Sequence, residues 1–346
     1  MTESKEPVEL WRHSSPETTQ MWFFKARVEK KYGVKLDGYR DLYNWSIENI
    51  EDFWRETCLF TGVHAKTAGT KGLVDASFDQ ILEKDAPMFP RPDFFPGTEL
   101  NFAQNLLYPL HPESQDPVKD QDIAIIAATE TSRSEVTWAE LRKRVGECYN
   151  TLQHQGVKPL DRVAGFVGNH TNAIVAMLAT TALGAIWTAV SPDTGVGAVL
   201  DRLVQIEPVV LFADNASFYN GKIHATSVKI KEIVASLPKL QALVIFEEVS
   251  AVKIKEHLDD LKPPTGSSYT YQEFLARQTQ ASPKTNSHSS PHPTPSTSST
   301  APARPENQNA LSTLPSEPSS STKKNTSYTA TSSPTTASST LPQLPG

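Results

Sequence analysis

Residues 161–214, DRVAGFVGNHTNAIVAMLATTALGAIWTAVSPDTGVGAVLDRLVQIEPVVLFAD, alternate between short β-rich runs and helical runs. The β-rich runs are 163–167, 185–190 and 209–213, so the stretch reads as βαβαβ. Strands separated by crossovers of this length pair in parallel, and a helix is the usual crossover. The chain therefore predicts an α/β fold on a parallel sheet. Its first crossover helix, 172–183, is apolar on nearly every face through Ile174, Val175, Met177, Leu178 and Leu183. Such a helix packs on a sheet and is then covered. Gly184 ends it, because glycine takes the left-handed position after a helix at least cost. The next strand stops at Ser191-Pro192-Asp193, since proline cannot donate to a sheet ladder. Ligands of open α/β sheets sit at strand ends, which makes this turn, with Thr194 and Gly195, the first candidate site.

The flanking sequence extends that pattern in both directions. Residues 10–110 are rich in aromatics, among them Trp11, Trp22, Phe24, Trp45, Phe53 and Trp54, and these predict a helical region with an aromatic core. A helix over 19–32 puts Met21, Phe24 and Val28 on one face, and a second helix starts with Ser46 as N-cap. The proline-punctuated passage 86–97 reads as extended, with Gly97 and Asn101 as positions of special backbone geometry. After a polar linker over 111–121, 123–127 is a strand, and residues 135–138 lead into a helix. Thr137 and Glu140 there form a capping-box pattern. Leu141, Val145, Cys148 and Leu152 then line one face, so Cys148 is a buried apolar residue and not a nucleophile. Further on, 228–237 reads as helix, 242–246 as strand, and a short last helix begins near Tyr269. Gly165 lies inside a strand and serves packing. His170, in the loop after it, is either an acid–base group or polar filler, and Asp201 with Arg202 forms a surface charge set.

Three regions follow: a helical region over 1–110, an α/β part over 111–278, and a Ser/Thr/Pro-rich tail over 279–346. The tail cannot bury enough apolar surface to offset chain entropy and is predicted to be disordered. It also pulls mean hydropathy down to -0.39. A net charge of -6 gives no reason to expect nucleic acid or an anionic membrane as partner. No apolar run approaches the ~20 residues of a membrane span. Two distant cysteines and no secretory leader pattern point to a reducing, cytoplasmic setting without structural zinc.

A series of ordered motifs carries a resemblance. The N-terminal part contains Leu10-Trp11, Trp45-Ser46, Phe53-Trp54 and the run FFPGTELNFAQNLL from Phe94. The α/β part contains TWAEL from Thr137, GVKPLDRVA from Gly156, VAMLA from Val175, and GAIW from Gly184. SPD, GV, VLDR, QIEP and the YNGK at Tyr219 follow in order. Together they resemble the N-terminal portion of adenylate-forming acyl-CoA synthetases, in particular the acetoacetyl-CoA synthetase branch, over about residues 8–276. Thr194 departs from the pattern, standing where the family usually has an aromatic.

The resemblance implies an aromatic helical N-terminal region packed on part of the parallel sheet of the adenylate-forming fold. It implies acetoacetate–CoA ligase activity, in which acetoacetate attacks Mg2+-bound ATP and CoA then displaces AMP. The cofactors implied for the whole family are thus ATP, CoA and Mg2+; for this chain CoA alone is in prospect. By the same resemblance, Tyr219, Asn220, Gly221 and Lys222, with Pro192 and Asp193, lie near the nucleotide end of CoA. The family's glycine-rich phosphate loop should follow the last helix, yet residues 267–345 contain no glycine. A glycine-free string cannot bring successive backbone N–H groups into a phosphate cradle. The chain is therefore expected to be truncated and inactive by itself, with no catalytic residue assigned. The alternatives are a non-catalytic fragment that binds CoA or a partner, and a product whose reading frame continues elsewhere.

Overall fold

The computed structural model describes residues 10–63, 65–67, 78, 80–82, 87, 89, 92–109, 118–130 and 132–277. The tail expected over 279–346 lies outside them, and the passages 86–97 and 111–121 lie partly outside. Three helices come first, α1 (Gln20–Tyr32), α2 (Tyr39–Glu48) and α3 (Ile50–Thr61). A small antiparallel pair, β1 (Lys66–Thr67) with β2 (Thr98–Glu99), precedes α4 (Phe102–Leu107). The hairpin of β3 (Ile123–Ala128) and β4 (Arg133–Thr137) leads into α5 (Trp138–His154).

The sheet itself begins with β5 (Arg162–Phe166), followed by α6 (Thr171–Ala182), β6 (Ile186–Val190), α7 (Val196–Ile206) and β7 (Val210–Asp214). A second hairpin, β8 (Ala216–Tyr219) with β9 (Lys222–Ala225), precedes α8 (Ser227–Ala235), β10 (Ala242–Phe246), β11 (Ser267–Thr270) and α9 (Tyr271–Ala276). The five sheet strands run parallel in the order β11-β10-β7-β5-β6. Counted from β5, that is the doubly wound order 2-1-3-4-5, with its reversal between β5 and β7.

Alternation along the strands divides the interior into two layers. Val163, Phe212, Val244 and Phe246 face α5, α6 and α9, and the Phe212 and Phe246 rings stack at 5.4 Å. Ala164, Phe166, Leu211 and Ile245 face α7 and α8 on the other side. This is why the strands read as continuous apolar runs: both faces are covered. Gly165 is small for a packing reason, as a Cβ there would lie 2.8 Å from the Trp187 ring. Gly184 adopts φ 74 after α6, as expected. The predicted stripe of α5 is buried along its whole length, and burial pushes the Cys148 thiol up to about 12, which rules it out as a nucleophile at neutral pH.

The N-terminal helices form their own aromatic core, in which Phe24 meets Phe53 and Phe60 edge-on at 6.0 and 5.4 Å. Contact with the α/β part runs through α4, whose Ala103 and Leu107 join the layer around α5 and α6. Asn101 caps α4 by accepting from Gln104 N–H at 3.0 Å and donates to Ala182 O at 3.0 Å.

Several local expectations are corrected. Ser46 is no N-cap; it lies inside α2, its hydroxyl donating to Tyr43 O, and Asn49 separates α2 from α3. Met21 is exposed, unlike Phe24 and Val28. The capping box at Thr137 is half formed, because Glu140 turns to Arg144 at 2.8 Å instead of back to the cap. Residues 133–137 and 267–270 are strands, paired with β3 and β10 respectively.

Candidate functional site

The reversal in strand order leaves a crevice beyond the carboxyl ends of β5 and β7, and polar side chains converge there. Asp214 ends β7 and is buried. One of its carboxylate oxygens accepts from Gly168 N–H at 2.7 Å, and the other meets His170 Nε2 at 2.9 Å. Thr226 donates its hydroxyl to Asp214 O. The His170 ring lies edge-on to Phe246 at 5.3 Å, and its Nδ1 is 3.1 Å from Glu248 Oε1, which Asn172 holds at 2.8 Å. In the neutral ring the same Nδ1 accepts from Ala173 N–H at 3.3 Å, so His170 is then also the N-cap of α6; once protonated, that nitrogen is a donor facing Glu248.

Burial alone would lower the pKa of His170. The Asp214 hydrogen bond and the charges of Asp214 and Glu248 outweigh it, and the ring titrates above its ordinary value. A raised folded-state pKa means that the charged ring stabilises the fold fully below the ordinary histidine value of 6.5. That contribution is lost as pH rises through the folded-state pKa. Thermal melts of the wild type and His170→Asn, which keeps a capping oxygen but no charge, should therefore differ most below pH 6.5. The gap should shrink steadily above it, and a pH-independent gap would show that His170 acts as a cap alone.

The residues that the resemblance places near CoA lie at the same end of the sheet but do not join this cluster. Asn220 and Gly221 are the two central residues of the β8–β9 hairpin, with φ 50 and 69. Positive φ at both positions is what a two-residue hairpin turn demands, and Asn-Gly supplies it most readily. The two backbone N–H groups of this tip already have a partner: Glu130, from the β3–β4 turn, accepts them at 2.8 and 3.1 Å. Tyr219 and Lys222 flank the turn and are exposed. Pro192 is buried in the turn after β6, where Lys229 of α8 donates to its carbonyl at 2.7 Å. Asp193 is exposed and contacts Ser191 Oγ at 3.3 Å. Asp201 and Arg202 stand on the exposed face of α7.

The His170, Asp214 and Glu248 set was missed because only His170 had been weighed, and by itself. Its signal was available: Asp214 ends one parallel strand, and His170 stands in the loop after the end of its neighbour. Among the described residues there is no group of three or more His, Cys, Asp or Glu that could hold a metal ion. No helix among the described residues is long and apolar enough to cross a membrane.

Comparison with known proteins converges on one family. Residues 114–314 match the family model described as AMP-binding enzyme. A malonamoyl-CoA synthetase of Penicillium aethiopicum is 46% identical over 270 residues, which is 78% of this chain and 35% of the relative. An acetoacetyl-CoA synthetase of Macaca fascicularis is 36% identical over 272 residues, 78% of this chain and 37% of the relative. The acetoacetyl-CoA synthetase from Streptomyces lividans superposes with a TM-score of 0.59 at 29% identity, covering 75% of this chain and 36% of that one. The chain thus spans little more than a third of the length of the curated relatives it matches.

Proposed function

Because this chain belongs to the AMP-binding enzyme family, and within it matches the N-terminal part of acetoacetyl-CoA synthetases, we propose that it is that portion of an ATP-dependent acid–thiol ligase. The substrates of that ligase are acetoacetate and CoA, and this chain by itself contributes CoA contacts and no adenylation. The observation that carries the reading is the 29% identical superposition on an acetoacetyl-CoA synthetase over 75% of the chain. A second acid deserves equal trial, since the 46% identical relative is named for malonamoyl-CoA. Malonamate and acetoacetate differ only by an amide nitrogen in place of a methyl carbon, so one pocket shape suits both.

CoA contacts are assigned to Tyr219, Asn220, Gly221 and Lys222, with Pro192 and Asp193 beside the nucleotide. Glu130 already satisfies the turn's two N–H groups. Lys222 therefore carries the phosphate contact as a point charge, and Tyr219 offers a ring face. Calorimetric titration of the chain with CoA and with dephospho-CoA tests this. Lys222→Ala should weaken CoA binding about tenfold, equivalent to about 1.4 kcal/mol, and leave dephospho-CoA unchanged. Equal affinity of wild type and Lys222→Ala for CoA would remove the hairpin from the site.

A further inference from the structure

The CoA contacts assigned above come from two separate stretches of chain, the turn after β6 and the tip of the β8–β9 hairpin. One side chain ties the turn to the helix that continues from the hairpin. Residues 191–194 form a tight turn, closed by Thr194 N–H donating to Ser191 O at 3.0 Å. Pro192 takes its second position, which suits the fixed φ of proline. Asp193 N–H adds a bond to Ser191 Oγ at 3.3 Å. Lys229 of α8 reaches across to this turn, its Nζ donating to Pro192 O at 2.7 Å and to Thr194 O at 3.4 Å. Lys229 is half-buried, and no carboxylate among the described residues lies within ion-pair distance of it. Its helix is a firm base. Thr226, between β9 and α8, donates its N–H to Asn215 O at 3.2 Å and its hydroxyl to Asp214 O, which pins the start of α8 to the end of β7. Ile230, Ile233 and Val234 then bury α8 in the layer beneath the sheet.

We propose that Lys229 is a positioning residue of the CoA site. Its two carbonyl bonds hold the 191–194 turn to α8, and so fix how far Pro192 and Asp193 stand from the hairpin that carries Tyr219 and Lys222. The inference rests on the CoA reading above. A lysine suits the task because its ammonium carries three donors on a four-carbon stem, enough to span from helix to turn and bond two acceptors at once. Without those donors the turn keeps its internal bond but loses its tie to α8. The nucleotide must then order the turn as it binds, and that ordering lowers affinity. The two lysines therefore have different signatures. Lys222 acts as a charge on the phosphate that dephospho-CoA lacks, whereas Lys229 acts through the turn on either ligand.

The test is calorimetric titration of the 346-residue chain, its Lys229→Met and Lys229→Arg variants, with CoA and with dephospho-CoA, well below the melting temperature of each. A hydrogen bond is worth a factor of about five, so Lys229→Met should weaken both ligands about fivefold and by the same factor. Lys229→Arg keeps donors for both carbonyls and should bind both within about twofold of wild type. In the free chain, the Thr194 amide that closes the turn should exchange about fivefold faster in Lys229→Met and at the wild-type rate in Lys229→Arg. A role in stability alone would lower the melt and leave both affinities unchanged, which would overturn the proposal. So would loss of CoA affinity with dephospho-CoA unaffected, which makes Lys229 itself a phosphate contact, or an equal loss in Lys229→Arg. Weakened binding with Thr194 exchange unmoved would overturn it as well. If the wild type binds neither ligand, the CoA reading falls and this proposal with it; if the wild type binds and Lys229→Met binds equally well, only this proposal falls.

Discussion

Incubated with ATP, acetoacetate and labelled pyrophosphate, the 346-residue chain should move no label into ATP above the rate seen without acetoacetate. Exchange requires reversible attack of a carboxylate on the α-phosphate, and that step rests on donors placed where charge develops. One such donor is worth about 2.7–4 kcal/mol, a factor of roughly a hundred to a thousand in rate. This sequence has no glycine between residues 267 and 345 from which to fold a phosphate-cradling loop. The buried carboxylate that ends β7, Asp214, is held by Gly168 N–H and His170. On the reading proposed above, these residues contribute no such loop, and the expected rate falls below detection. A chain extended through a glycine-rich phosphate loop and a lysine-bearing C-terminal domain should exchange label with acetoacetate or with malonamate. The preferred acid identifies the substrate. Robust exchange by the 346 residues alone would overturn the proposal that they contribute no adenylation.

The parallel sheet was legible in the sequence because its strands are covered on both faces. Apolar runs such as 242–246 leave little choice of secondary structure, and the first crossover helix is closed by Gly184. β4 and β11 were not legible for the opposite reason. RSEVT and SSYT are short and polar, and each becomes a strand only because a neighbour's backbone lies alongside. The α2–α3 break at Asn49 was equally hidden, since a single residue between two helices leaves the helical spacing of apolar residues almost intact. At the site, the Asn-Gly turn was visible as a dipeptide, but its partner Glu130 is 90 residues away and only the fold brings it there. The same distance problem hid the pairing of His170 with Asp214, although both strand ends had been placed.

Glu56→Ala should lower the stability of the N-terminal helices by about 3 kcal/mol, toward the lower end of what breaking a buried ion pair costs. Glu56 of α3 is fully buried against α1, where Arg27 Nε donates to it at 2.8 Å, Tyr32 OH at 3.2 Å, and Lys31 forms a further ion pair. Lys31 and Tyr32 lie four and five residues beyond Arg27 in α1, so a single carboxylate of α3 ties down more than one turn of the other helix. The low end of the range applies because Arg27 and Lys31 are partly exposed and regain water when the carboxylate is gone. Burial works to raise the carboxyl's pKa, but Lys31 and Arg27 outweigh it and hold the group below its ordinary value of 4.5. A depressed folded-state pKa means the stabilisation is complete above 4.5 and is lost as pH falls through the folded value. Tyr32 reports on the same contact: burial first, then the Glu56 charge, pushes its phenol up to about 12. Glu56→Gln preserves shape and removes the charge, so the Tyr32 absorbance titration should shift to lower pH even where the fold survives. Urea melts should show the wild type and Glu56→Gln well separated at pH 7 and converging in acid. A gap that persists unchanged in acid, with the Tyr32 titration unmoved, would mean that Glu56 acts by packing and not by charge.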